Sequence, residues 1–403
     1  PEGEGVGHMT PAARVQTAIE ILDSIAASAR DNGPPADTIF AEAMRARRYA
    51  GSKDRRAVRE LVYAAIRAVR SVPPSGRAAM VSLADSDAEL AALFDGSPYA
   101  PTPIAPDEPR GELGLAAPAL IDLFDPLVGA DEHAAMLERA PLDLRTNRTR
   151  IDRNALADLL GAGEPIAATQ DGLRLPAEFA AVQHPAFAEG LFEVQDAASQ
   201  IAAEALGAAD GMTIVDLCAG AGGKTLALAA AAPGACIIAC DINRARLQQL
   251  APRAERSGAT NIETRLLNPG QEAAMLSDLI GAADAVIVDA PCSGSGTWRR
   301  SPELRWRLTP QRLARHRAEQ AALLALGAAL VRAGGVLIYA TCSVLAGEGR
   351  DQVGAFLAAQ DGAWSADFGG LPAGIGRRAG DGLLLTPHHD CTDGFYLARL
   401  QRA

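Results

Sequence analysis

Two cysteines stand where a nucleophile would be useful. Asp289-Ala-Pro-Cys292-Ser-Gly-Ser-Gly-Thr297 follows one apolar run, and Tyr339-Ala-Thr-Cys342-Ser343 closes another. Both runs read as buried strands, so both thiols fall at carboxyl ends, where open α/β sheets hold ligands. A pyrimidine is the target that needs such a thiol. Its C5 is too weak a nucleophile to take a methyl group directly, and a thiolate added at C6 makes C5 enamine-like. Asp289 is placed to hydrogen-bond the ring near N3 and assist that addition. The competing reading is that free cysteines are small buried hydrophobes. It is the reading taken for the thiols of Cys218, Cys236 and Cys240. For Cys292 and Cys342, loop positions beside a ligand-binding turn favour chemistry, and the residues alone do not rank the two.

That turn is Val215-Asp-Leu-Cys-Ala-Gly-Ala-Gly-Gly-Lys-Thr225, a strand running through glycines into a helix. Gly220, Gly222 and Gly223 let the backbone approach a ligand closely. A P-loop is excluded, because its first glycine would fall on Cys218. A dinucleotide fingerprint is excluded too, because the third glycine of Gly-x-Gly-x-x-Gly is missing. What fits is a turn for the methionine half of S-adenosylmethionine. Asp241, ending the next strand, supplies a carboxylate for both ribose hydroxyls. The cofactor set is therefore Cys218, Ala219, Gly220, Ala221, Gly222, Gly223, Lys224 and Asp241, with Arg246 on the following helix and Asp289 beyond. Asn268, after a third strand, stands where an adenine would lie; a plain loop cap is the alternative there.

The elements that must position these residues alternate from Met212 onward. Strands are expected at Thr213–Cys218, Cys236–Cys240, Ile262–Leu267, Ala285–Asp289 and Val336–Ala340, with helices at Lys224–Ala232, Arg244–Ser257 and Arg312–Arg332. This βαβ order implies a parallel sheet covered on both faces. Upstream the pattern differs. Residues 10–94 read as all-helical, with Val15, Ala18, Ile19 and Leu22 at helical spacing and a second helix over Arg56–Val69. The Pro- and Gly-rich stretch 95–115 reads as a linker. Residues 116–190 read as short helices and a small α/β unit, with a strand at Leu142–Asn147 and a helix at Arg153–Leu160. The catalytic domain is expected over 191–403, and residues 1–9 resemble a tag remnant.

Composition narrows the class. A net charge of −11 argues against a uniformly basic nucleic-acid coat, so any such surface must be local. Six cysteines without a Cys-x-x-Cys pair suit free thiols in a reducing cytoplasm and predict no metal site. The longest uncharged stretch, Thr225–Cys240, is broken by Pro233-Gly234 and falls short of the ~20 residues of a membrane helix. A soluble cytoplasmic monomer is expected.

Together these motifs resemble the Sun family of RNA cytosine-5 methyltransferases. Leu217–Thr225 is similar to its cofactor motif, with Ala221 in place of a usual proline. Asp289–Thr297 and Ala340-Thr-Cys-Ser343 match two more motifs. Gln195-Asp-Ala-Ala-Ser199 matches the entry to its catalytic domain, and Thr392-Asp-Gly-Phe-Tyr396 resembles its closing hairpin. The resemblance implies a Rossmann-like domain with a mostly parallel seven-stranded sheet, a small α/β RNA-binding subdomain and an all-α NusB-like domain. It implies that Cys342 is the nucleophile and that Cys292 helps release the product. Asn268 replaces a usual aspartate. Small-subunit ribosomal RNA is the implied substrate; transfer RNA, or an idle RNA-binding assembly role, are the rivals. Arg45, Arg47, Arg48, Lys53, Arg55, Arg56 and Arg59, against the single acid Asp54, form a local patch for phosphates. A second basic run, from Arg299 to Arg317, contains Trp306 and is preceded by Trp298; both either stack on bases or pack.

Overall fold

The computed structural model describes residues 8–31 and 33–403. Residues 1–7 of the expected tag remnant lie outside that set. The chain divides into two units. One runs to Leu123 and takes in Trp298–Thr309; the other comprises Phe124–Thr297 and Pro310–Ala403.

In the first unit, α1 (Pro11–Arg30), α2 (Ala36–Ala46), α3 (Ser52–Ala68) and α4 (Gly76–Ala84) surround one apolar core. Thr10 caps α1, its hydroxyl accepting the Ala13 N–H, which satisfies one of the orphan donors at a helix start. Val15, Leu22, Ile25, Val58, Val62 and Ile66 are wholly buried at the helical spacing that brings them to one side. The stretch read as a linker lies along these helices: Arg77 pairs with Glu108 at 2.6 Å and Leu113 bridges Val69.

The segment Trp298–Thr309 completes this unit. The Trp306 ring enters the helical core, and its Nε1 donates to the Val69 carbonyl at 3.0 Å. The buried Arg305 guanidinium donates to the carbonyls of Arg67 and Val69, at 2.8 and 3.0 Å. Those are carbonyls that the end of α3 leaves unpaired, and a cation is the natural partner there. Trp298 is wholly buried. Of the two readings for this run, packing holds for both tryptophans, and Arg305 and Arg307 serve backbone carbonyls.

The second unit holds two sheets. Strands β1 (Leu142–Thr146), β2 (Glu164–Pro165), β3 (Gly172–Leu175) and β4 (Phe192–Val194) pair antiparallel in the order β2-β3-β1-β4. The helix Arg153–Leu160 covers them through Leu156. The larger sheet contains β5 (Thr213–Asp216), β6 (Cys236–Asp241), β7 (Ile262–Leu266), β8 (Ala283–Asp289), β9 (Val331–Thr341), β10 (Trp364–Ala366), β11 (Arg377–Ala379), β12 (Gly382–Leu385) and β13 (Phe395–Arg402). Its order is β11-β12-β13-β9-β8-β5-β6-β7, with β10 beside β13. Five strands, β9 to β7, run parallel; Ile214, Ile237, Ile287 and Ile338 are fully buried in their middles.

The sheet has nine strands rather than the expected seven. The difference lies in the antiparallel extension, where β10 and β11 are three residues each and too short to show an alternation. The helix expected over Arg244–Ser257 is two pieces, Arg244–Leu247 and Leu250–Ser257. Pro252 has no N–H and its ring clashes with the carbonyl four residues back, at the break. Cys236, expected in the core, is exposed, because it opens β6 at the amino end of the sheet, away from the strand ends that carry the motifs.

Candidate active site

The site follows from the strand order. β8 and β9 are parallel neighbours, with Asp289 opposite Ala340. Their two carboxyl ends therefore deliver Asp-Ala-Pro-Cys and Ala-Thr-Cys side by side. Cys292 Sγ and Cys342 Sγ are 3.4 Å apart, each partly buried, with the second loop closed by Gly296 N–H donating to the Cys342 carbonyl at 3.1 Å. The hydrogen bond between the two sulfurs and burial push the Cys292 thiol well above its usual range.

β5 lies on the other side of β8 and brings in the Gly-rich turn. Lys224, 7% exposed, reaches from the first turn of the helix Gly223–Ala231 to Asp289, Nζ to Oδ2 2.6 Å. Its ammonium also sits 5.3 Å from the centre of the Phe395 ring. The turn is held by Asp241: Oδ2 accepts the Gly220 N–H at 2.7 Å and Oδ1 the Asn243 N–H at 2.6 Å. Gly222 has φ +85°, and a Cβ there would lie 2.1 Å from Leu250 Cδ1. Only glycine fits without strain or displacement. A Cβ at Gly220 would lie 2.5 Å from the Arg246 guanidinium, so Arg246, exposed, lies against the turn. Beneath the turn Asp216 is buried. Its Oδ2 accepts from Thr225 Oγ1 at 2.7 Å, while Oδ1 has no hydrogen-bond partner. Burial pushes this carboxyl up to about 6, against the opposing effect of the Thr225 hydrogen bond.

Thus Cys342, Cys292, Asp289 and Lys224 are brought together at the ends of β8 and β9, and residues 218–224, Asp241 and Arg246 form the adjoining turn. Asn268 stands apart. It is exposed after β7, and its amide donates to Gln271 Oε1 at 3.4 Å.

Residues 203–401 match the family described as 16S rRNA methyltransferase RsmB/F. Through this region the chain belongs to the RsmB/F methyltransferase family. A probable ribosomal RNA small subunit methyltransferase B of Synechocystis is 36% identical over 299 residues, which cover 70% of this chain and 66% of that relative. The chain thus spans just under two thirds of that relative's length. The crystal structure of PH0851 matches 98% of this chain and 99% of its own, with TM-score 0.74 and 20% identity. A methyltransferase homolog protein from Pyrococcus horikoshii matches 68% of this chain and 90% of its own, with TM-score 0.58 and 24% identity. At those identities the likeness is one of fold.

RsmB/F methyltransferases depend on S-adenosylmethionine. The residues present fit that donor. Asp216 leaves a buried carboxylate oxygen without a partner, the glycines leave a cradle that a Cβ would fill, and Asp241 keeps lone pairs free beyond its two backbone donors.

Sequence reasoning missed one group at this RsmB/F site. Glu348 is 1% exposed, and its carboxylate accepts from Ser293 N–H at 2.9 Å, Ser343 Oγ at 2.6 Å and Gln320 Nε2 at 3.2 Å. Nothing in the run Ser343-Val-Leu-Ala-Gly-Glu348 marks it, because beyond Ser343 its partners Ser293 and Gln320 come from two other segments. Gly296 lies in the Asp289–Thr297 motif, and the fold supplies its reason: a Cβ there would meet the Gly394 carbonyl at 1.7 Å. Among the described residues no helix is long and apolar enough to cross a membrane.

Proposed function

We propose that this chain methylates C5 of a cytosine in small-subunit ribosomal RNA through a covalent Cys342–C6 adduct. The observation that carries the reading is the pair of thiols 3.4 Å apart, flanked by the Lys224–Asp289 ion pair, at the ends of adjacent parallel strands next to the Gly-rich turn. The ribosomal substrate is taken from the name of the Synechocystis relative.

The sulfur of Cys342 forms a bond to C6 as the C5–C6 double bond opens toward N3, and the thiol proton passes to that ring nitrogen. Asp289, with Oδ2 held by Lys224, keeps Oδ1 to accept the N3–H formed in that step and so steadies the protonated ring nitrogen. S-adenosylmethionine, when bound, supplies an electrophilic methyl group. Once C5 carries the methyl, a base removes the C5 proton and the electron pair left behind expels the Cys342 thiolate. Cys292, the thiol beside it, is the group that assists this release. Residues 218–224, Asp241 and Arg246 hold the donor, with Asn268 a candidate contact to its adenine. The basic segment from Arg45 to Arg59 contacts RNA phosphates. Its one acid, Asp54, is wholly buried and paired with Arg14 at 2.8 Å, while Arg45, Arg48, Lys53 and Arg56 are exposed.

Two experiments test this. The protein is incubated with labelled S-adenosylmethionine and small-subunit RNA, naked or partly assembled, and the RNA is digested. Label in 5-methylcytosine is expected; label elsewhere or none sinks the claim. Cys292→Ala should accumulate a covalent protein–RNA complex and Cys342→Ala none. The reverse pattern would exchange the two roles.

A further inference from the structure

Glu348 has no place in the chemistry above, yet it is the most heavily bonded acid near the thiols. Oε1 accepts from the Ser293 N–H at 2.9 Å and from Gln320 Nε2 at 3.2 Å; Oε2 accepts from Ser293 Oγ at 2.5 Å and Ser343 Oγ at 2.6 Å. Its own carbonyl accepts from Tyr339 OH at 2.8 Å, so it is tied to β9 as well. Ser293 and Ser343 are the residues directly after Cys292 and Cys342. The network extends through Ser343 Oγ to Ser295 Oγ at 3.0 Å, and Ser295 Oγ accepts from the Val344 N–H at 3.0 Å. Gln320 also donates to the Pro291 carbonyl, one residue before Cys292, at 2.9 Å.

All four donors to the carboxylate are neutral. A buried carboxylate held by neutral donors forms charge-assisted hydrogen bonds, stronger than neutral ones, and leaves its charge uncancelled. That charge contributes, after the Cys342 hydrogen bond and burial, to holding the Cys292 thiol up. A structural clamp alone would be served by any pair of complementary side chains. Placing one anion between the residues that follow both thiols fixes the spacing of the sulfurs and biases one of them toward its protonated form.

We infer that Glu348 is the positioning residue of the thiol pair, a single buried carboxylate that sets the register of the Cys292 and Cys342 loops through the serine following each cysteine. The role rests on the proposed reaction for its purpose, but the geometry is testable without it. Phenylarsine oxide binds tightly only where two thiols close one ring on the arsenic, so it reads the spacing directly. The full chain should bind it with Cys292→Ala as the control that cannot close the ring. In Glu348→Gln the amide has one acceptor where four donors converge. Arsenical affinity should fall about 10- to 100-fold, the size of a lost charged hydrogen bond. kcat should fall by a similar factor while KM for RNA and Kd for S-adenosylmethionine stay within about twofold. The pH midpoint for alkylation of Cys292 should move down. Ser343→Ala, which removes one arm and keeps the charge, should give a smaller loss of arsenical affinity; it is the deciding variant if Glu348→Gln does not fold. Arsenical binding and kcat unchanged in both variants would overturn the inference. A chain that forms no 5-methylcytosine but whose arsenical affinity depends on Glu348 would overturn the proposed reaction and leave the positioning role standing.

Discussion

Gly222→Ala is the substitution whose cost follows most directly from the turn. The residue sits at φ +85°, ψ 22°. An L-residue in that left-handed region loses about 1–2 kcal/mol. Its new Cβ would lie 2.1 Å from Leu250 Cδ1 and 3.0 Å from Cγ, and Leu250 is wholly buried, so the clash cannot swing into solvent. Forcing a methyl into a packed site costs about 1–3 kcal/mol. The sum, roughly 2–5 kcal/mol, corresponds to a drop of about 10 °C in the melting of a domain of this size, at about 2–4 °C per kcal/mol. Calorimetric melting of the full chain measures it. Gly223→Ala is the control. Its φ is not positive and its Cβ would come no nearer than 3.7 Å to Gln195 Nε2, so melting should be unchanged and only S-adenosylmethionine affinity, read by titration calorimetry, should fall. Leu250→Ala combined with Gly222→Ala should recover about 1–3 kcal/mol relative to additivity, because the shortened side chain no longer meets the new Cβ. If Gly222→Ala melts within about 2 °C of the parent, the turn is soft and the argument that its glycine is sterically required is wrong.

Asp216 predicts a pH dependence. Its carboxyl is raised to about 6 from 3.8, so the folded state binds this proton more tightly than the unfolded chain. The contribution is present below about pH 4 and is lost as pH rises through about 6, a swing of about 3 kcal/mol. In urea unfolding, the stability of the parent minus that of Asp216→Asn should fall by about that much between pH 4 and pH 7. A difference that does not vary with pH would mean the carboxyl is not shifted. Arg48→Glu and Arg56→Glu, both at exposed positions, should each weaken RNA binding and flatten the slope of log affinity against log salt by about one unit. An unchanged slope would return this face to solvent.

What was legible in the sequence was what depends on neighbours in the chain. Four of the five parallel strands showed because they are apolar runs, while β7, Ile262-Glu-Thr-Arg-Leu266, is a part-exposed edge strand bounded by two apolar residues. Their ends fell within a few residues of the expectation except at β9, which begins five residues earlier. The thiols showed because a strand end places its next residues at the ligand edge. That the two would touch required knowing that β8 and β9 are adjacent, which similar apolar runs do not specify. The short antiparallel strands were hidden because β11, Arg377-Arg-Ala379, carries two arginines and gains its place only by pairing with β12.

The residues that the sequence left open or unmarked share one cause. Glu348, Arg305 and Trp306 are buried polar or amphipathic groups with partners distant in sequence, and composition assigns such groups to the surface. Arg305 and Trp306 meet the end of α3 more than 230 positions away, so of the two readings open for the tryptophans packing holds, and Arg305 caps carbonyls at that helix end. Within the sheet unit the same rule holds at the thiol: the loop bearing Cys292 is held by Glu348 through Ser293, a partner 55 positions on, so its place is set by a distant carboxylate rather than by the local sequence of the motif.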